Sequence, residues 1–215
     1  MQKKTYAVLG LGRYGTAVAK ELVKSGMEVI AVDKNEQIVQ DSSEYLPICK
    51  CADITDHEVI SELGISNADV VIVAMASSLE GSILAITLCK EAGVKTVIAK
   101  CANETHRKIL KRVGADTVVF PENESGTRLA KNLLTSGFTD ILTLSDDLSL
   151  VELAARDEWV GKSLKELNLR KKYTVNVVAF RKNGKITAPV NPEELLDKDT
   201  EIIAIVNTAK LSKLK

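Results

Sequence analysis

The sequence is poor in the residues on which several classes of protein depend. Among 215 residues there are two histidines and one tryptophan, and aromatic residues make up only 4% of the chain. So few rings leave little surface on which the bases of a single-stranded nucleic acid could stack. The 29 basic and 29 acidic side chains cancel, so no basic surplus indicates binding to nucleic acid. We therefore expect no nucleic-acid partner.

Long hydrophobic runs are missing as well. The longest apolar run, residues 70–76, is far shorter than the roughly 18 residues of a membrane-spanning helix. An apolar stretch near the amino terminus is interrupted at once by glycines, which favours a first strand over a signal peptide. We expect a cytoplasmic protein whose membrane role, if any, comes through a partner.

The four cysteines form no CxxC pair and no cluster with histidine. Cys49 and Cys51 would share one face of a strand, a poor arrangement for a disulfide between them. Together with Cys89 and Cys101 they are most simply reduced, mostly buried thiols, and a metal site is the alternative.

The first 120 residues alternate apolar runs with helical patterns, which is the rhythm of a parallel sheet. This rhythm predicts a Rossmann-type doubly wound α/β domain. The predicted strands are 6–10, 28–33, 47–51, 69–74, 96–100 and 117–120. The predicted helices are 14–24, 35–44, 56–63, 78–91 and 104–113, several of them ending at a glycine.

After Pro121 the pattern changes to one helix over 122–136 and then to shorter elements. A turn-like pair at 139–140 follows the helix, and we place the domains at 1–136 and 137–215. The second is predicted to be a small α+β module with a capping box at 163–166 and a hairpin turn at 183–184. Its predicted strands are 175–182, 185–188 and 201–206. The helix over 122–136 carries an apolar stripe of Leu129, Ala130, Leu133 and Leu134.

Residues 8–15, VLGLGRYG, fit the glycine fingerprint of a dinucleotide-binding fold. Gly10, Gly12 and Gly15 follow a predicted strand and open a predicted helix, which is the context that makes the match specific. The amides and positive dipole of that helix would hold phosphates. Asp33 ends the second strand 18 residues after Gly15 and is placed to hold a ribose diol, which disfavours NADP.

Arg13 adds a permanent positive charge directly after the second glycine. Helix amides already accommodate a pyrophosphate, so the arginine favours a ligand with more phosphate charge, such as ATP. A solvated arginine is the alternative. Lys100 and Glu122 follow the fifth and sixth strands at the sheet edge where ligands bind. An ion pair for Lys100 and helix capping for Glu122 are the alternatives.

Signs of catalysis are few. His57 and His106 both lie in predicted helices, and neither has a neighbouring nucleophile or metal partner. We therefore expect that this chain is not an enzyme. An NAD-dependent oxidoreductase is the alternative function, although no convincing substrate domain or proton donor is found. A redox-sensing transcription regulator would need a basic DNA-binding module, and the second domain offers only the short basic run 170–172.

Over essentially the whole chain these motifs resemble the cytosolic gating subunits of the Ktr/Trk (KtrA/TrkA) type. Such subunits have an RCK N-terminal domain followed by an RCK C-terminal domain, RCK meaning regulator of potassium conductance. The motifs are 10–15, 32–33, 53–56, 99–100, His106, 114–116, 121–122 and 161–164 with Leu167. The resemblance implies a non-enzymatic switch that controls ion conductance in potassium uptake, with ATP promoting the conducting state and ADP the closed one, and NAD(H) as a possible ligand.

The resemblance also implies roles for single residues. Arg13 would reach the γ-phosphate, Asp33 would hold the ribose, and Asp53 would lie beside the adenosine. Glu122 would serve Mg²⁺ or another cation, so it is the predicted metal ligand. The implied cofactor-binding set is Gly10, Gly12, Arg13, Tyr14, Gly15, Asp33, Lys34, Asp53, Ile54, Ala74, Met75, Lys100 and Glu122. The implied site for cyclic di-AMP, which some relatives bind, is Arg170, Asn176 and Pro189.

The same resemblance implies an assembly. Two copies would pair through the helix over 122–136, and the dimers would form an octameric ring beneath an integral membrane potassium channel subunit of the Ktr/Trk type. The chain would then be cytoplasmic and peripheral to the inner face of the membrane. Ala52 stands where the family commonly has glycine, and its methyl group would narrow the adenine pocket.

Overall fold

The computed structural model describes residues 4–134, 140–145 and 147–214. They fall into two compact units that divide between Glu122 and Asn123. The helix after Pro121 therefore lies mostly with the second unit, whereas the sequence-based boundary assigns it to the first. The functional boundary at 136/137 stays a prediction.

The first unit is a six-stranded parallel sheet flanked by helices, with the strand order β3-β2-β1-β4-β5-β6. The order reverses between β1 and β4, which opens a crevice at the carboxyl ends of these two strands. The strands are β1 (Thr5–Leu9), β2 (Glu28–Asp33), β3 (Ile48–Cys51), β4 (Val70–Val73), β5 (Thr96–Lys100) and β6 (Thr117–Val119). The helices are α1 (Arg13–Lys24), α2 (Glu36–Ser42), α3 (His57–Glu62), α4 (Leu79–Glu91) and α5 (Glu104–Val113). The predicted Rossmann-type domain is confirmed.

Both faces of this sheet are buried, which explains why its strands are almost continuously apolar. In β1, Ala7 and Leu9 join one buried cluster, while Val8 between them joins a second cluster on the opposite face. Successive side chains of a strand point to opposite faces, so a single run of residues supplies both layers. Burial of a side chain such as Leu9 contributes about 1.5–3 kcal/mol.

The second unit is built on a five-stranded antiparallel sheet with the order β10-β9-β11-β8-β7. Its strands are β7 (Asp140–Thr143), β8 (Leu148–Ala154), β9 (Asn176–Lys182), β10 (Lys185–Thr187) and β11 (Glu201–Asn207). Its helices are α6 (Pro121–Leu134), which begins at the end of the first unit, α7 (Leu164–Leu167) and α8 (Leu169–Tyr173). The predicted hairpin and the small α+β module are confirmed.

In the second unit one local prediction from the sequence is confirmed and another is wrong. The capping box is present, because the Ser163 hydroxyl accepts from the backbone N–H of Glu166 while the Glu166 carboxylate accepts from the N–H of Ser163. Asp140 does not form a turn: it pairs with Glu152 at the start of β7, and the β-forming residues that follow include the buried Ile141. The other half of the expected turn, Thr139, lies outside the described residues. No helix in the described part of the chain is long and apolar enough to cross a bilayer.

Candidate functional site

A cleft of about 460 Å³ opens where the strand order reverses, at the carboxyl ends of β1 to β4. A cleft of this size can hold most of a nucleotide-sized ligand. Eight predicted site residues line it, namely Gly10, Gly12, Asp33, Lys34, Asp53, Ile54, Ala74 and Met75. The other lining residues are Val32, Ile38, Ala52, Thr55, Ser77, Ser78, Glu80, Gly81 and Leu84.

The three glycines of the turn between β1 and α1 have different surroundings. Gly10 has a φ of +97°, which a residue with a side chain rarely adopts. A Cβ atom on Gly15 would lie 1.9 Å from the Gly10 carbonyl oxygen, so a glycine is needed for α1 to pack this closely. A Cβ atom on Gly12 would meet nothing within 4 Å. Gly12 therefore leaves its backbone open to the cleft.

The start of α1 differs from the starts of the other helices in the first unit. Asn35, Asp56, Ser78 and Asn103 cap α2, α3, α4 and α5 with a side-chain oxygen, and each of these helices has an acidic residue in its first turn. Gly12 provides no side-chain cap for α1, and the first turn of α1 contains no acidic residue. The first amides of a helix need an acceptor. The sequence thus leaves this helix end available to an external anion.

Asp33 links the end of β2 to the glycine turn that follows β1, on two sides of the cleft. Its Oδ2 atom accepts a hydrogen bond of 2.7 Å from the backbone N–H of Leu11, in the glycine turn. Its Oδ1 atom accepts one of 2.9 Å from the N–H of Asn35, which precedes α2. A carboxylate oxygen has two lone-pair sites, so Asp33 can accept further bonds from a ribose diol.

Asp53 lies on the β3 side of the cleft. Its Oδ1 atom accepts hydrogen bonds from the hydroxyl of Thr55 at 2.7 Å and from the backbone N–H of Thr55 at 3.0 Å. These bonds hold the pKa of the Asp53 carboxyl below its usual range. The group is therefore an anion at neutral pH and can act only as an acceptor toward a ligand.

Three predicted site residues lie together next to the start of α1, although they do not line the cleft. The Lys100 ammonium is 2.5 Å from the Glu122 carboxylate and 5.7 Å from the centre of the Tyr14 ring. The hydrogen bond from Lys100 lowers the pKa of Glu122. Lys100 thus pairs with an acid, the alternative that the sequence left open for it. Arg13 is exposed as the first residue of α1 and borders Gly12 without lining the cleft.

Comparison with known proteins agrees with this two-unit description. Residues 6–121 match the TrkA-N domain and residues 148–215 match the TrkA-C domain. The chain belongs to the TrkA family. It is 35% identical to the Ktr system potassium uptake protein C of Bacillus subtilis (strain 168), over 99% of this chain and 96% of that protein. It is 34% identical to the Ktr system potassium uptake protein A of Vibrio alginolyticus, over 99% of this chain and 97% of that protein.

Solved structures share the fold of this TrkA chain. The GsuK channel superimposes with a TM-score of 0.71 at 18% identity, over 99% of this chain and 39% of the channel. The GsuK channel bound to NAD gives a TM-score of 0.67 at 18% identity, over 100% of this chain and 39% of the channel. This chain thus spans well under half the length of those proteins, and at this identity the likeness shows the fold.

Several predicted residues of the TrkA chain are not brought into one site. Arg170 lies on α8, Asn176 begins β9 and Pro189 follows β10; all three are exposed, and no hydrogen bond or ion pair within the described ranges joins them. Their binding of cyclic di-AMP stays a prediction. No group of three or more His, Cys, Asp or Glu side chains in those ranges could hold a metal ion. Glu122 as a metal ligand therefore also stays a prediction.

The sequence reasoning missed the wall of the cleft that α4 forms. Ser77, Ser78, Glu80, Gly81 and Leu84 line this wall. A signal was present in the sequence, because Ser78 predicts a helix start soon after the fourth strand, and that strand ends at the crevice. The two histidines lie elsewhere on α3 and α5, and neither lines the cleft.

Proposed function

We propose that this chain is the cytoplasmic, nucleotide-sensing regulatory subunit of a potassium uptake system. Relatives in Bacillus subtilis and Vibrio alginolyticus that are named Ktr system potassium uptake proteins are similar along nearly the whole chain, which supports this role. The single observation that carries the nucleotide part is the uncapped start of α1 beside the open backbone of Gly12. The names of these relatives do not favour the alternative, an NAD-dependent oxidoreductase.

The ligand that we assign to the cleft is ATP or ADP, with NAD(H) as a further candidate. The phosphates would bind at Gly12 and the start of α1, and the ribose would bind Asp33, where β2 ends. The exposed Arg13 would then contact the third phosphate, which ADP lacks. A charge-assisted contact of this kind is worth about 1.5–3 kcal/mol. Arg13 is thus the residue that would distinguish ATP from ADP.

A modest contact at each site is enough if several sites act together. Converting a mostly closed assembly into a mostly open one takes about 5.5 kcal/mol of differential binding. If each Arg13 contact contributes about 1.5 kcal/mol, the lower end of that range, then roughly four concerted sites suffice. An oligomeric ring with one nucleotide site in each subunit would meet this requirement.

The surface of α6 supports self-assembly. Leu129, Leu133 and Leu134 are 60%, 77% and 81% exposed, and the first two are four residues apart on one face of the helix. Exposed leucines in such a row favour a protein interface. We assign this face to the dimer contact, and dimers would form an octameric ring beneath a membrane potassium channel subunit. The chain would be peripheral to the inner face of the membrane through that partner.

Two further ligands belong to the proposal. Mg²⁺ or another cation at Glu122 would have to replace Lys100, which neutralises that carboxylate here. Cyclic di-AMP would bind the second unit through Arg170, Asn176 and Pro189. Neither ligand is required for nucleotide binding in the cleft, so the test measures the effect of each one separately.

The test is a calorimetric binding panel of ATP, ADP, NADH, NAD and cyclic di-AMP with the purified chain, with and without Mg²⁺. We expect Arg13→Ala to abolish the preference for ATP over ADP, about tenfold by the contact above, while ADP binding persists. Lys24→Ala is the matched control, since it removes one positive charge at the opposite end of α1. An unchanged ratio of ATP to ADP affinity contradicts the role of Arg13. If the chain binds none of the nucleotides, the sensing role itself is contradicted.

A further inference from the structure

The first two turns of α4 present an unusual surface to the cleft. Glu80, Gly81 and Leu84 all line it, and Glu80 and Leu84 are four residues apart on one face of the helix. Gly81 between them is buried, and Ser78 and Met75 occupy the space where its side chain would begin, so this wall offers a ligand a carboxylate and an apolar group. Such a surface is complementary to a flat apolar ring with a hydrogen-bond donor on its edge.

The Glu80 carboxylate differs from the other two acids of the cleft. Asp33 accepts hydrogen bonds from the backbone of Leu11 and Asn35, and Asp53 accepts them from Thr55. Glu80 has no hydrogen-bond or ion-pair partner in the part of the chain that the structure describes. Its side chain is exposed. Both oxygens of Glu80 are therefore available to a ligand, whereas at Asp53 one oxygen, Oδ1, already accepts both hydrogen bonds from Thr55.

Leu84 gives an independent indication of what that ligand is. It remains 41% exposed, although large apolar side chains gain by burial. Val32, Ile38, Ala52 and Ile54 also line the cleft and add apolar surface to it. An apolar ring bound there would cover Leu84. The combination of an apolar enclosure with a few polar groups is typical of small-molecule sites.

The direction of a bound nucleotide follows from the rest of the cleft, so this inference rests on the proposed function. With phosphates at the start of α1 and the ribose at Asp33, the base must extend past the end of β2, away from α1. Val32, Ile38, Ala52 and Ile54 lie there, and the first two turns of α4 line the same cleft. We propose that Glu80 determines base specificity, accepting a hydrogen bond from the exocyclic amino group of a 6-aminopurine that packs against Leu84.

The test compares ATP with purine riboside 5′-triphosphate, which lacks the amino group and is otherwise the same molecule. The wild-type chain is expected to bind ATP about tenfold more tightly. Glu80→Ala should weaken ATP binding by the same factor and leave the purine riboside nucleotide unaffected. Glu80→Gln keeps an acceptor oxygen and should retain part of the preference. Glu58→Ala is the matched control, because Glu58 is the second residue of α3 as Glu80 is of α4, and it does not line the cleft.

The outcomes separate this inference from the function on which it rests. If the wild-type chain binds both triphosphates equally, or if Glu80→Ala preserves the preference, Glu80 does not read the base and the nucleotide role survives. If the chain binds neither, both proposals fail. Thermal unfolding of each variant shows whether a loss of binding results from a loss of stability. If Glu80→Ala is destabilised, the milder Glu80→Gln variant decides whether Glu80 recognises the base.

Discussion

Gly12 and Gly15 lie three residues apart in the same turn, and replacing each by alanine should impair a different property, ligand binding in one case and stability in the other. At Gly15 the added methyl carbon would lie 1.9 Å from the carbonyl oxygen of Gly10 and 3.1 Å from the Cβ atom of Ala74. At Gly12 it would meet no atom within 4 Å. Gly15→Ala should therefore damage the fold, and Gly12→Ala should damage ligand binding.

The size of the first effect follows from what must move. The position of a Cβ atom is fixed by the backbone, so no change of rotamer relieves the overlap, and the contacted atom is itself backbone. The start of α1 has to move away from β1, which costs about 3 kcal/mol, the upper part of the range for overpacked sites. For a unit of this size we expect the melting temperature to fall by about 10 °C.

The size of the second effect follows from the open backbone at Gly12. Its φ is −63°, a value that alanine adopts readily, and the loss of glycine as N-cap costs about 1 kcal/mol or less. The methyl group would hold phosphates away from the first amides of α1. We expect a loss of ATP affinity of about tenfold, or 1.4 kcal/mol, with a fall in melting temperature of at most about 3 °C.

Differential scanning calorimetry and nucleotide titration on the two variants distinguish these effects. A normal melting temperature for Gly15→Ala would show that α1 does not pack against the glycine turn as described. Wild-type ATP affinity for Gly12→Ala would show that phosphates do not approach this backbone, and the assignment of the cleft would then be wrong.

Two other predictions concern acid stability and self-association. Hydrogen bonds from Lys90 and from the N–H of Val97 hold the pKa of Asp116 below its ordinary value of 3.8; this stabilisation is therefore present above about pH 4 and is lost as the pH falls through the lowered pKa. Asp116→Asn should lower the urea concentration at the unfolding midpoint at pH 7, and below pH 4 the midpoint of the variant should depend less on pH than that of the wild type. Identical midpoints for the two proteins at every pH would contradict this. Leu133→Glu on the exposed face of α6 should reduce the mass in solution measured by light scattering, while Arg128→Glu on the same helix should not; an unchanged mass for Leu133→Glu excludes this face as the dimer contact.

The fold of the first unit could be predicted because local signals and burial agree there. Strands such as β2 and β5 consist of an apolar run with one polar residue at each end, and helices such as α5 begin at a capping asparagine and end at a glycine. The second unit was harder. Strands β7 and β8 were not located from the sequence. They pair with each other as neighbours in the chain, but β8 also pairs with β11, which is distant in the chain, and propensity alone does not indicate such a contact.

The candidate site was only partly predictable for a related reason. The glycine turn and Asp33 follow a spacing rule, so their approach could be inferred from the sequence. Glu80 and Leu84 enter the cleft only because α4 begins at the same crevice as α1 in three dimensions. The pairing of Lys100 with Glu122 depends on the adjacency of β5 and β6 and on side-chain reach. Spacing in a single chain carries no comparable information about such contacts.

The two hydrogen bonds of Asp33 have a consequence for the kinetics of recognition. Since one carboxylate holds the loop after β1 against the loop after β2, this part of the cleft keeps its form whether or not a ligand is near. A preorganised receptor loses little conformational entropy when it captures a ligand, and its association rate is not limited by rearrangement. A structural response to occupancy must then begin at a wall that Asp33 does not restrain, and the start of α4 is such a wall.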